Sequence, residues 1–161
     1  MRGLLICGLA VVLAAAAGPA AAAQPDLAKL LEEAGLEYER RDNDGLKVLY
    51  EFDDGRSQLV VIQPQSDFEG IGVVEIYSPV MRLRDGTVPA ALGNRLLEMN
   101  GRRKVTYFGV EDVEGTLMVF CYHNTPTEDL DAKTLSTLLL AVGTFADEME
   151  KEQLGVASDE F

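Results

Sequence analysis

The stretch Lys104–His123, KVTYFGVEDVEGTLMVFCYH, decides the fold. Two runs of strand-forming residues, Lys104 to Val110 and Thr116 to His123, flank the acidic turn Glu111-Asp112-Val113-Glu114-Gly115. Valine, threonine and aromatic residues suit a pleated, half-buried ribbon, and a short glycine-containing link between two such runs marks a hairpin. Successive side chains of a strand point to opposite faces. If Leu117, Val119 and Cys121 face a layer of helices, Met118, Phe120 and Tyr122 line the opposite side. Antiparallel sheets usually leave that side to water. Methionine with two aromatics would then make an apolar stripe of the kind that marks an interface, unless loops or a tail cover it.

Upstream, the same grammar repeats. Leu46, Val48, Tyr50 and Phe52 alternate with Lys47 and Glu51 as a half-buried strand, and Asp53-Asp54-Gly55-Arg56 turns the chain into a second, Gln58 to Ile62. A polar loop with Pro64 and Asp67 leads to a third strand from about Ile71 to Tyr77, which Pro79 bounds. Before these strands, Asp26 caps a helix whose apolar face is Leu27, Leu30, Leu31 and Ala34, with Gly35 as the left-handed stop. A second helix begins near Thr87 with Pro89 in its first turn, buries Val88, Leu92, Leu96 and Met99, and ends at Asn100-Gly101. The last helix starts at the N-cap Asp131, with Leu130 stapled to Leu135, and carries the stripe Leu135, Leu138, Leu139, Val142, Ala146 and Met149. At 100° per residue, Leu140 points away from that stripe, among Ser136, Thr137, Thr144, Asp147 and Lys151. It is either a singly exposed leucine or a contact for a partner or a second copy. The expectation is an α+β domain in the order α-β-β-β-α-β-β-α, an antiparallel twisted sheet of about five strands with helices on one face.

The N-terminus says where the chain works. Arg2, the apolar run Leu4 to Leu13 and the exit Ala21-Ala22-Ala23 form the pattern of a secretory signal peptide cut after Ala23. An uncleaved anchor is the competing reading, since a spanning helix needs about 20 residues. Pro19 and the alanine-rich second half argue against it. Lipidation at Cys7 is disfavoured by the bulky Ile6 before it. The organisation is therefore a signal peptide over residues 1–23, a domain over 24–154 and a loose tail over 155–161. The product would be periplasmic or secreted, without stable membrane insertion.

With 27 acidic and 14 basic residues, the chain has a net charge of −13. Phosphate backbones are held by lysine and arginine, so nucleic acid is an improbable partner. After signal cleavage only Cys121 remains, so no internal disulfide can form, and no N-x-S/T triplet is present.

Few residues invite chemistry. Cys121 and His123 share a strand face, so a thiol–imidazole pair is geometrically conceivable, but Leu117 and Val119 on that face mark Cys121 as core. Arg40 to Glu51 nearly spells a calcium loop, with Asp42, Asp44, Gly45 and Glu51 in register, but its first position is Arg40. Asn43-Asp44-Gly45 reads better as a hairpin turn. Arg102-Arg103-Lys104 can hold an anion or complement the dipole of the second helix. Phosphate-loop, nucleophile-elbow, metalloprotease and C-x-x-C signatures are absent from the sequence. No cofactor is expected.

The order and spacing resemble the YbjN-like family of bacterial sensory transduction regulators, over roughly Pro25 to Leu154. The resemblance rests on the opening helix ending in glycine, the acidic-turn hairpins and Leu96-Leu97-Glu98-Met99-Asn100 with Arg103 and Tyr107. Glu114-Gly115-Thr116-Leu117, and Leu130-Asp131 followed by Leu135, complete it. The chain departs from the family in having no tryptophan. The resemblance implies the fold of the type III secretion chaperones and a surface for protein segments. It implies no catalytic residue. The reading is thus an exported, non-enzymatic protein-binding module, alone or as a homodimer, using Met118, Phe120, Tyr122 and Leu140. The alternatives are a small enzyme built on Cys121 and His123, and a carrier of a small apolar ligand.

Overall fold

A computed structural model describes residues 25–128, 130–155 and 161. The signal peptide expected over residues 1–23 lies outside the described residues, as does most of the expected tail. Helix α1 (Leu27–Glu33) opens where Asp26 accepts the Lys29 N–H at 3.2 Å. It closes in a Schellman turn: Gly35 has φ +71°, its N–H reaches the Glu32 carbonyl, and the Leu36 N–H reaches the Leu31 carbonyl. Strands β1 (Glu39–Arg40) and β2 (Leu46–Glu51) join through a turn in which Asp44 takes φ 62°. The tight Phe52–Arg56 link then leads into β3 (Ser57–Ile62).

A short strand, β4 (Ser66–Phe68), folds back on the long β5 (Ile71–Arg82). Helix α2 (Ala90–Arg102) precedes the hairpin β6 (Tyr107–Val113) and β7 (Thr116–Pro126), and α3 (Ala132–Leu154) ends the domain. Both turn residues of that hairpin, Glu114 and Gly115, have positive φ, 53° and 85°. This is the primed turn whose twist matches the flanking strands.

The described residues form three helices and a seven-stranded antiparallel sheet of order β1-β2-β3-β5-β7-β6, with β4 paired to β5. Helix α3 crosses β3, β5 and β7, α1 rests on α3, and α2 packs on β6. The core between sheet and helices includes Val60, Ile62, Val74, Ile76, Val119 and Cys121 from the strands and Leu135, Leu139, Val142 and Met149 from α3. The α+β class and the single helical layer agree with the expectation.

Several boundaries differ. The two extra strands are short: β4 comes from a polar segment, and β1 is the two-residue arm of a turn. Pro79 does not bound β5, which runs on to Arg82 with a register shift between Pro79 and Met81. A proline has no N–H for the ladder, and a bulge is one of the few interior places that tolerate it. Side chains bridge β3 and β5 there: Gln58 Nε2 donates to Ser78 Oγ at 2.8 Å and to the Pro79 carbonyl at 2.6 Å. Ser78 Oγ donates in turn to the Leu59 carbonyl at 2.7 Å.

Helix α2 starts after Pro89 rather than at Thr87, which leaves Val88 exposed outside it. It runs past Asn100-Gly101 to Arg102. Asn100 instead clamps the next strand: its amide donates to the Phe108 carbonyl at 3.0 Å and its oxygen accepts the Phe108 N–H at 2.6 Å.

Asp147 does not sit on a solvated face of α3. Asp147 and Glu150 are both buried and both paired with Arg56, whose guanidinium lies 2.6 Å from Asp147 Oδ1 and 3.0 Å from Glu150 Oε2. Lys151 Nζ joins Asp147 to Asp54, at 2.8 Å from each. The signal for this was present: Glu150 continues the apolar rows through Ala146 and Val142, where a carboxylate requires a cation partner.

Candidate functional site

The alternation read from β7 holds. Leu117, Val119 and Cys121 pack toward the helices, while Met118, Phe120 and Tyr122 form a separate cluster on the helix-free face. Antiparallel pairing brings β5 and β6 to either side of β7 and sets Tyr77 and Tyr107 opposite Tyr122. The Tyr107 and Tyr122 rings stack with centroids 5.4 Å apart, and Tyr77 meets Phe120 edge-on at 5.5 Å. Such offset and edge contacts add to the burial of area itself. Gly109 makes the Tyr122 pose possible, because a Cβ there would stand 3.0 Å from the ring.

Of the two readings the sequence left for this stripe, open or covered, the structure has the covered one: Met118, Phe120 and Tyr122 are 9%, 7% and 5% exposed. Period-2 alternation says which side a residue faces, not what its cross-strand neighbours lay over it. Tyr77 and Phe161 pack against the cluster, so only its margin reaches solvent. That margin is a groove of about 330 Å³ running over Leu59, Val61, Pro79 and Val113 to Phe161. Leu140, by contrast, is exposed on α3.

The groove's rim is polar. Arg41 Nη1 donates to the Tyr77 hydroxyl at 3.1 Å. Outside the groove, Asn124 Nδ2 donates to the Tyr107 hydroxyl at 2.7 Å. Burial, reinforced by the negative charge of Glu111, holds the Glu75 carboxyl above its ordinary range. Burial and a hydrogen bond to Glu111 push the Tyr122 phenol far up, so it stays a neutral hydroxyl. The Arg82 guanidinium lies 4.7 Å from the centroid of the Phe161 ring.

The catalytic alternative finds little geometry. Cys121 is fully buried, and that burial pushes its thiol up to about 12, the reverse of an activated nucleophile. His123 Nδ1 is hydrogen-bonded to the Val105 carbonyl at 2.5 Å. Asp42, Asp44 and Glu51 are spread over the β1–β2 hairpin, and among the described residues no three His, Cys, Asp or Glu side chains gather as a metal site. Arg102 pairs with Glu98, while Arg103 pairs with Glu148 at 2.8 Å and lies over the Phe145 ring at 3.5 Å. Both arginines of the candidate anion site thus hold local partners.

One exposed feature had no reading in the sequence. Phe68 and Ile71 face each other across the β4–β5 turn, 66% and 51% exposed. Their segment begins with Ser66 and Asp67 and so reads as a loop. The positive φ values of Glu69 (52°) and Gly70 (86°) make it a hairpin tip.

No protein-family model matches the chain, and no curated protein sequence matches it. The YbjN-like resemblance therefore stands on the residues quoted for it alone. Among solved structures, the chain is similar to the type III secretion chaperone SycH of Yersinia pestis, solved in complex with a stable fragment of YscM2. The identity is 14%, the match covers 76% of this chain and 95% of that chain, and the TM-score is 0.50. At that identity the likeness is one of fold: an α+β sheet with its helices on one side.

Proposed function

We propose that this chain is an exported, non-enzymatic protein-binding module of the YbjN-like kind, which holds a polypeptide partner through the helix-free face of its sheet. The observation that carries the reading is the second apolar cluster, Met118, Phe120 and Tyr122 with Tyr77, set apart from the main core and opening into a groove. A sheet face that only had to be soluble would be polar there. The fold supports the reading too, since SycH was solved with a polypeptide fragment bound. The leader pattern before Gln24 supports export, and the buried, unactivated Cys121 disfavours thiol chemistry. Leu140 is a second contact surface, for a partner or for another copy of the chain.

The test is affinity capture from an envelope extract with the chain from Gln24 onward, run beside Val113→Lys and Leu140→Lys. Val113 is 40% exposed on the groove's rim and Leu140 50% exposed on α3, so neither lysine has to be buried. Envelope proteins held by the parent and lost with Val113→Lys support binding through this face. Loss only with Leu140→Lys moves the contact to α3, and capture indifferent to both refutes the reading.

A further inference from the structure

We propose that the groove on the helix-free face is a receptor for a single aromatic side chain presented by a polypeptide, and that Phe161 is its occupant in cis. The inference rests on the protein-binding reading of the same face and names the chemistry that the face selects. Phe161 packs against the cluster of Met118, Phe120 and Tyr122 and so shows what this surface accepts. The walls offer an incoming ring each of the contacts that aromatic groups favour: ring edges and faces from Tyr77, Phe120 and Tyr122, and a soft sulfur from Met118. Arg82 adds a guanidinium 4.7 Å from the ring centroid, within cation–π range.

Two further observations make Phe161 an exchangeable guest rather than part of the core. Its side chain is only partly buried, whereas Met118, Phe120 and Tyr122 beneath it are 9% exposed or less. It also borders the groove without filling it, for about 330 Å³ remains beside it over Leu59, Val61 and Pro79. The rim of Arg41, Lys47, Glu75 and Glu111 is charged, which suits a peptide bearing the ring better than a bare alkyl ligand. A partner that presents a phenylalanine or tyrosine therefore competes with Phe161 for one seat.

The experiment follows the Met118 methyl resonance by NMR, because a ring seated on that methyl shifts it. The probes are a synthetic peptide with the sequence of residues 156–161, VASDEF, and its counterpart ending in alanine. Phe161→Ala should move the Met118 signal, and millimolar VASDEF should return it toward the parent position. The parent chain should need at least tenfold more peptide for any response, and the alanine peptide should do nothing. Phe161→Tyr should behave as the parent, which keeps the experiment readable if the alanine variant folds poorly. A Met118 signal indifferent to Phe161→Ala overturns the proposal. So does equal titration of parent and variant, or equal action of the two peptides. If the peptide fails while Val113→Lys still abolishes capture, the protein-binding reading stands and the aromatic receptor falls. A peptide that restores the shift beside an empty capture says the reverse.

Discussion

Replacing Arg56 by methionine should remove a large share of the domain's stability. The guanidinium is buried, lies 2.6 Å from Asp147 and 3.0 Å from Glu150, and both carboxylates are buried beneath α3. Removing one member of a buried ion pair costs about 3–5 kcal/mol, chiefly because the remaining charge is stranded away from water. Lys151 still reaches Asp147 at 2.8 Å and so offsets part of this penalty there. Small domains hold about 5–15 kcal/mol in all. With a urea slope of about 1–3 kcal/mol per molar, a loss of that size moves the midpoint down by about 2 M. Urea unfolding followed by circular dichroism and tyrosine fluorescence measures this at pH 7. The triple variant Arg56→Met, Asp147→Leu, Glu150→Met should recover much of the loss, since exchanging a whole buried ion network for apolar residues of similar volume is close to neutral. A loss under about 1 kcal/mol, or a triple variant as weak as the single one, refutes the argument.

Two other outcomes follow from the titrating groups. The thiol of Cys121 should resist iodoacetamide in the native protein at pH 8 and react at once in denaturant, since burial holds its pKa near 12; rapid native labelling would revive the catalytic alternative. Glu75→Gln should stabilise slightly at neutral pH. A carboxyl whose folded pKa is raised favours folding below its unfolded value, and that benefit is lost as pH rises through the folded one. The gain, about 0.5 kcal/mol for a group so exposed to solvent, should vanish in urea titrations below pH 4.

The sequence made the periodic parts of this molecule legible. Asp26 and Asp131 accept the N–H groups that their positions promised, from Lys29 and Thr134. Gly35 is left-handed, and β7 divides its side chains between two faces as alternation requires. Long-range contacts were not legible. Asp147 and Lys151 look like solvent-facing charges on a helical wheel, and only the turn that delivers Arg56 from 91 residues away makes one of them interior. Met118, Phe120 and Tyr122 were placed on the right side, but whether that side was open or covered stayed undecided, because nothing local to β7 announces that Tyr77, Tyr107 and Phe161 gather about them. Pro79 looked like a strand end because the bulge that tolerates it is made jointly with Gln58, 21 residues earlier.

The clamp of Asn100 on Phe108 makes the two margins of the sheet unequal. On the β6 margin, the amide and carbonyl that would start a new rung are already engaged by a side chain of α2, so an intruding strand must first evict it. On the β2 margin, β1 pairs only with Leu46 and Lys47, which leaves Val48 to Glu51 without an outer neighbour among the described strands. The clamp stoppers the rung at Phe108, whereas no such side-chain clamp is placed over Val48 to Glu51 among the described residues. An added strand therefore meets more resistance at Phe108 than along the outer half of β2.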